Sequence, residues 1–387
     1  MTMQYQLITT HQQLEQVCNL AQQQDAIALD TEFVRTRTLT PHLGLIQLYD
    51  GQQLVLIDPI AIDDMSPFIA LMENEAVVKV LHSCSEDLET FLSAYNTLPS
   101  PIFDTQFAAS ILGMGASLGY AKLVETICDV TLDKGESRTD WIARPLRESQ
   151  LQYAANDVLF LLPCYRVLVE KIVQADKLDW VYQEMTLLGD KKRAQIPEDF
   201  AYLFIKNNWR LNSEQLVVLQ AIAAWRLSVA RKKDIALNFV FKEQHVYEAA
   251  QYMPASKTAL AKIEGISPHT LRRYGETVLT LIADARAKYA STPPKLLLPR
   301  VKRLMDFAEY KKTLAALKAI SDTIANEQGV PPEVISSKKQ LNQLLKWVWF
   351  EVDETRVQQL TPEVLSGWRA PLFESRVEAL LGPIPTA

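Results

Sequence analysis

The sequence predicts an α/β domain, a mixed sheet flanked by helices, followed by an all-helical second half. Three observations carry this reading. From residue 5 to about residue 104, short apolar strand-like runs alternate with helix-periodic stretches. After about residue 199 the strand patterns stop. The charge changes with them: residues 1–190 hold 11 Lys and Arg against 26 Asp and Glu, whereas residues 191–387 hold 29 against 20.

Residues 4–8 read as a strand, and Thr10 is placed to cap a helix running through Ala21. Residues 26–33, 43–49 and 54–57 read as strands, with Asp50-Gly51 as the hairpin turn between the last two. Residues 77–81 form a further buried strand, and Ser83 and Glu86 have capping-box spacing at the start of the next helix. Residues 101–104 suit a short last strand. Helices dominate from there to about residue 188, including one long helix over 148–173. The second half predicts helices at 211–232, 245–252, 256–263 and 268–288, then a stiff Ser291-Thr292-Pro293-Pro294 linker. Beyond it, Leu317-Lys318-Ala319-Ile320 echoes Leu219-Gln220-Ala221-Ile222, and Lys338-Lys339-Gln340 echoes Lys242-Glu243-Gln244.

At 387 residues the chain has room for two or three domains, and 48% hydrophobic content supports sizeable cores. The opening Met1-Thr2-Met3-Gln4-Tyr5-Gln6 lacks the basic and apolar runs of a signal peptide. The most apolar stretch, Val158-Leu159-Phe160-Leu161-Leu162, meets Pro163 and Arg166, far short of a membrane span. Four scattered cysteines without a Cys-x-x-Cys read as reduced thiols. The expectation is a cytoplasmic protein with no membrane partner.

The chemistry lies in four carboxylates and a tyrosine. Asp30 and Glu32 are two apart at the end of an apolar strand, so they project to one face. Tyr153 and Asp157 are four apart in a helix and also share a face. Asp87 lies in the first turn of the helix after residues 77–81, where complementing the helix dipole is the structural alternative. Four carboxylates converging would raise one another's pKa unless cations intervened. Hard divalent ions suit an all-oxygen site, and such a site serves two-metal phosphodiester hydrolysis. The basic clusters of the second half, among them Arg231-Lys232-Lys233, Arg272-Arg273 and Lys338-Lys339, read together as a phosphate-backbone footprint.

These motifs resemble the DEDD superfamily of 3′→5′ exonucleases, in the subgroup ending in Tyr-x-x-x-Asp. Leu29-Asp30-Thr31-Glu32-Phe33-Val34-Arg35, Leu43-Gly44-Leu45-Ile46-Gln47-Leu48, Phe103-Asp104-Thr105-Gln106 and Ser137-Arg138-Thr139-Asp140-Trp141-Ile142-Ala143-Arg144 are similar to the bacterial ribonuclease D family. The resemblance implies a ribonuclease H-like fold over residues 1–195, an HRDC domain at 210–291 and a second, divergent HRDC-like domain at 300–382. It implies catalysis by Asp30, Glu32, Asp87, Tyr153 and Asp157, the four acids holding two Mg²⁺ or Mn²⁺ ions, with Asp30 bridging them. It further implies that Tyr153 orients the attacking water, since an ordinary tyrosine pKa near 10 makes a poor base.

Thr31, Phe33, Gln47, His82, Asp104, Thr105 and Arg144 are the candidate substrate contacts. Phe33 has apolar packing as its alternative, Arg144 structural pairing, and His82 a hydrogen bond at a strand end. The implied activity is 3′→5′ exoribonucleolytic trimming of tRNA precursors and other structured small RNAs by a monomer, releasing nucleoside 5′-monophosphates. The alternatives are a DNA exonuclease with the same site and a nucleic-acid-binding protein with an inactive nuclease domain. Loss of a carboxylate would favour the latter, and none is lost. For the helical modules the alternative is protein docking.

Overall fold

Strand β1 (Tyr5–Ile8) runs into helix α1 (His11–Ala21), whose Thr10 hydroxyl accepts the Gln13 N–H at 3.3 Å. The computed structural model describes residues 4–132, 135–136 and 139–385. Ser137 and Arg138 of the motif above, and the first three residues, lie outside them. Strands β2 (Ala26–Val34), β3 (His42–Tyr49) and β4 (Leu54–Ile57) follow as an antiparallel set. The expected hairpin joins β3 to β4: Asp50 accepts the N–H groups of Gln52 and Gln53, and Gly51 takes φ +93°. Then come α2 (Ser66–Glu73), β5 (Val78–Leu81), α3 (Ser85–Tyr95) and β6 (Ile102–Asp104).

The sheet order is β1-β4-β3-β2-β5-β6, with β1–β4, β2–β5 and β5–β6 parallel. Alternation along the strands divides the residues between its faces. Ile27, Leu29, Ile46, Leu48, Val55 and Ile57 pack against α1, α2 and α3. Ala28, Leu45, Leu54 and Leu56 pack against a later helix.

The Ser83–Glu86 capping box does not form. Ser83 adopts φ +58°, α3 starts a residue later, and the Asp104 carboxylate takes the Cys84 N–H at 2.8 Å instead. Helices α4 (Thr105–Ile111), α5 (Tyr120–Cys128), α6 (Glu148–Leu159), α7 (Leu161–Gln174) and α8 (Leu178–Arg193) complete this half. The single helix expected over 148–173 is broken at Phe160. Pro163 has no N–H to donate to Leu159, and its ring crowds that carbonyl. The Tyr120 hydroxyl enters the break, donating to the Asn156 carbonyl (3.1 Å) and accepting the Phe160 N–H (3.3 Å).

The second half is helical and repeats itself. Helices α9 (Ser213–Lys233), α10 (Leu237–Val240), α11 (Glu243–Tyr252), α12 (Lys257–Leu260) and α13 (Pro268–Ser291) run long, short, medium, short, long. Helices α14 (Tyr310–Gln328), α15 (Pro332–Ile335), α16 (Lys338–Trp349), α17 (Glu354–Val357) and α18 (Ala370–Leu381) follow the same rhythm. The sequence echo therefore marks equivalent helices. The helix expected over 256–263 stops at Leu260, and the chain turns through Gly265 at φ +79°.

The first helical unit has its own core, built on Leu216, Leu219, Ile222, Val246, Val278 and Ile282. It meets the sheet domain at the β2–β3 loop, where Leu39 packs against Ala230, Val240 and Tyr274 and polar contacts surround it. Asp234, which ends α9 at φ +45°, accepts Thr40 N–H and Oγ–H (2.9 Å each) and lies 2.7 Å from His42 Nε2.

The second unit has no separate core. Leu314, Leu317, Leu344 and Phe373 bury against Leu123, Leu168, Ile172 and Val181 of the first half. Trp368 stacks on Trp180 at 4.0 Å between centroids and donates to Glu184 at 2.9 Å, and the buried Arg369 pairs with the same carboxylate. Cutting the chain near residue 190 would strip this core. Because the core is shared, Trp368→Ala should cost about 3–5 kcal/mol, the usual range for a buried tryptophan. Urea unfolding should show one earlier transition; an early transition confined to the C-terminal unit would count against a common core.

Candidate active site

Two neighbouring strands, the first turn of α3 and the later turns of α6 converge where β2 ends. Asp30 and Glu32 alternate with Thr31 along β2 and point to the α6 face, opposite Gln47 and Leu45 of β3. The register shifts after Glu32: it pairs with Leu45 while Phe33 pairs with Leu43, leaving Gly44 bulged. A Cβ at Gly44 would collide with the Trp141 carbonyl, so glycine lets the segment before α6 close over the strand. Arg144 fastens that segment. Its five N–H groups go to Asp58 (2.7 and 2.8 Å), Gly44 O, Trp141 O and Ala143 O.

Asp87, in the first turn of α3, is buried and accepts the Thr31 hydroxyl at 2.5 Å. Thr31 is on the other face of β2 from Asp30, so this bond ties the start of α3 to the strand. Tyr153 and Asp157 lie one turn apart on α6, both partly exposed. The Tyr153 ring rests 6.3 Å from Trp141.

Electrostatics show that the acids form one group. Burial, then the charges of Asp87, Asp157 and Glu32, hold the Asp30 carboxyl well above the usual carboxylate range. Glu32 is pushed up to about 9 by burial and by Asp157 and Asp87. Asp87 and Asp157 rise to about 7, chiefly through burial, with Thr31 and Tyr153 opposing the rise. Burial and the acids Asp157, Glu32 and Asp30 push the Tyr153 hydroxyl up as well, so it keeps its proton at neutral pH.

Among the described residues no three His, Cys, Asp or Glu side chains are already drawn together as a metal cage. The donor set nevertheless fits hard cations: four carboxylates share one cleft, and none of them has an ion-pair partner among the described residues. Uncompensated like charges spread apart, and a divalent cation is the group that would draw them in.

Most of the expected substrate contacts are occupied structurally. Arg144 is spent on Asp58 and carbonyls, the structural alternative. Asp104 caps α4 through Gln106 and Phe107 N–H (2.8 and 3.0 Å). Thr105 is fully buried, donates to Leu81 O (3.1 Å) and lies 2.9 Å from His82 Nδ1. Thr31 serves Asp87. Gln47 is fully buried beside Asp30, because its rung of the sheet faces α6, and it cannot reach substrate. Phe33 alone of the seven remains partly exposed with no structural commitment; His82 is partly exposed as a residue, but its Nδ1 meets Thr105 and its Nε2 is buried without a hydrogen bond among the described residues.

Gly44 and Tyr120 had no role assigned from sequence. A lone glycine inside the apolar run of β3 is a bulge signal and marked the first; nothing in the sequence marked the second.

A sheet of this order with an acidic cleft beside its α6 face defines a 3′→5′ exonuclease domain. The 3′-5′ exonuclease family model matches residues 5–173, the HRDC domain model residues 215–282, and the model for the ribonuclease D C-terminal HRDC domain residues 308–377. Ribonuclease D of Serratia proteamaculans is 44% identical over 98% of this chain and 99% of its own length. The crystal structure of Escherichia coli RNase D superposes with TM-score 0.91 at 41% identity, covering 99% of this chain and all of that one. The catalytic core of RRP6 from Trypanosoma brucei gives TM-score 0.62 at 25% identity, over 74% of this chain and 81% of that one. The chain belongs to the ribonuclease D family of hydrolytic 3′→5′ exoribonucleases. Its exonuclease family uses divalent metal ions.

The raised carboxyls imply a pH dependence of known sign. Unfolded carboxyls titrate near 3.8 (Asp) and 4.5 (Glu), so between there and about 7–9 the folded metal-free protein holds protons that the unfolded chain has lost. Their contribution to stability is therefore favourable at low pH and declines as pH rises through that window. Glu32→Gln removes one such charge, and its unfolding temperature should gain on the parent's steadily from about pH 5 to 9. Mg²⁺ should stabilise the parent more at the upper end, because it displaces the retained protons. A pH-independent difference in metal-free calorimetric scans would count against mutual repulsion.

Proposed function

We propose that Asp30, Glu32, Asp87 and Asp157 hold two divalent cations, Mg²⁺ or Mn²⁺, with Asp30 shared between them. The chain then removes nucleotides from RNA 3′ ends as nucleoside 5′-monophosphates, with tRNA precursors and other small structured RNAs as substrates. The observation that carries this is the group of four mutually repelling carboxylates, without cationic partners, at one end of β2. The Escherichia coli relative is described as an exoribonuclease involved in structured RNA processing, which supports such substrates.

We divide the chain into an exonuclease domain at 1–195 and helical domains at 210–291 and 300–382. It acts as a monomer in the cytoplasm, in keeping with four free cysteines and with no helix long and apolar enough to cross a membrane among the described residues.

When bound, the cations supply the Lewis acidity that activates water and stabilises the leaving 3′-oxygen. The protein's own groups do the rest. Thr31 donates to one oxygen of Asp87 and so fixes the orientation of that carboxylate. Tyr153, kept protonated by burial and by its acidic neighbours, donates its hydroxyl hydrogen to Asp157, and its hydroxyl oxygen is left to orient the attacking water rather than deprotonate it. Arg144 and Gly44 keep the Trp141 segment closed beside Tyr153. Phe33, just past the bulge, is placed to stack on the terminal base.

Incubation with 5′-labelled RNA and matched DNA, with Mg²⁺ or with chelator, tests the reading. RNA should shorten progressively from its 3′ end, and chelator should stop it. Asp30→Asn should abolish hydrolysis with the fold intact; an Asp30→Asn protein working at the parental rate would refute the site. Tyr153→Phe keeps ring packing and every carboxylate, so kcat should fall by about 10²–10⁴ while calorimetric metal affinity holds. Loss of metal binding along with activity would assign Tyr153 to the architecture of the cleft instead.

A further inference from the structure

A cleft of about 570 Å³ lies between the two helical units, and no residue lining it precedes residue 200. Its walls come from three separate segments: the 3₁₀ turns before α9, the linker before α14, and the end of α16. Trp209, Trp349 and Phe350 supply partly exposed ring surfaces, and Arg300 and Lys302 supply cations. Arg303 and Arg210 lie 3.8 and 5.0 Å from the Trp209 ring centroid, and Phe307 stacks on Trp349 at 5.0 Å, so both indoles are braced.

The acids around the cleft are largely neutralised. Asp353 is taken by Arg356 (2.6 Å), Glu354 by Lys346 (2.7 Å) and Asp306 by Arg303 (2.6 Å), while Glu351 stays exposed. Arg300 and Lys302 are exposed and form no ion pair among the described residues. A second hollow of about 830 Å³ shares Leu304, Asn342, Lys346 and Glu354 with the cleft and adds Lys338 and Lys339, while its Lys191 is paired with Glu363 (3.1 Å). The two make one trough running from the inter-unit cleft to α8 of the sheet domain.

Braced indoles with cations at their edge suit a base and its phosphate, and the lysines further along suit the phosphates that follow. We propose that this trough binds unpaired RNA, with one base held against Trp349 or Trp209 and its phosphate on Arg300 and Lys302. It would be a second RNA site apart from the carboxylate cleft, holding the body of a substrate while its 3′ end is cut. The proposal rests on the exoribonuclease reading above and adds the place and mode of binding.

The test uses the intact chain in chelator, so that RNA is bound but not cut. Trp349→Leu keeps apolar bulk, and the double change Arg300→Ser with Lys302→Ser alters exposed groups only. Unfolding midpoints check that both remain folded. Affinity for a single-stranded RNA of about 20 nucleotides, longer than one binding site, should fall in Trp349→Leu by roughly five- to hundredfold, the worth of one base–aromatic stack. The double variant should lose affinity too, with a shallower dependence on salt. With Mg²⁺ restored, both should hydrolyse a trinucleotide at the parental rate, because it is too short to engage the trough.

Parental affinity for the long RNA in both variants overturns the proposal and leaves the cleft to a protein partner. Quenching of tryptophan fluorescence by AMP without any loss of long-RNA affinity overturns it in favour of free nucleotide. If the parent itself fails to shorten RNA, the exoribonuclease reading falls; if the parent shortens RNA and the variants bind like it, only the trough falls.

Discussion

Mutual repulsion among Asp30, Glu32, Asp87 and Asp157 is the constraint around which the first half is arranged. Left free, these groups would separate or would take up protons, and the raised Asp30 and Glu32 carboxyls show the second response. Three local devices hold them in place. The alternation of β2 fixes Asp30 and Glu32 on one face, the Thr31–Asp87 hydrogen bond ties α3 to that strand, and the bulge at Gly44 lets the Trp141 segment and α6 approach. None of these devices brings a cation to the acids, and none of the four has an ion-pair partner among the described residues. The cleft is therefore left needing positive charge from outside the protein.

That need extends to the substrate. A phosphate backbone approaching residues 1–190 meets a net surplus of acids, and one approaching residues 191–387 meets a surplus of bases. Attraction at long range must come from the helical half, and chemistry from the other. The two halves are joined in different ways. The second helical unit shares a hydrophobic core with α5, α7 and α8, so its position is set by burial. The first touches the β2–β3 loop through Asp234, Thr40 and His42 and through Leu39 packed on Ala230, Val240 and Tyr274, a small contact that also anchors the chain leaving the acidic strand.

The helix break at Phe160 shows how little separates a plain connection from a functional one. Pro163 alone would end α6, yet the Tyr120 hydroxyl fills the gap left in the backbone ladder one turn from Asp157. The acidic face of α6 thus keeps regular geometry up to the break, and α7 starts in a new direction against β2 and β5.

Much of this was legible in the sequence because it depends on local periodicity. The strand runs, the Asp50-Gly51 hairpin, the Thr10 cap and the facing pairs Asp30/Glu32 and Tyr153/Asp157 all follow from spacings of a few residues, and the faint helical repeat from an echo between two distant stretches. What sequence left open are matters of partnership between distant segments. Arg144 and Thr105 looked available for substrate until Asp58, Gly44 and Leu81 were seen to claim them. Gln47 looked like a surface contact until its rung was found beneath α6, and Ser83 looked like a cap until Asp104 took the Cys84 N–H. A side chain's donors go to whichever acceptor the fold brings nearest, and only packing decides that. The sequence by itself therefore determined which groups could do the chemistry, and the tertiary structure decided which remained free to do it.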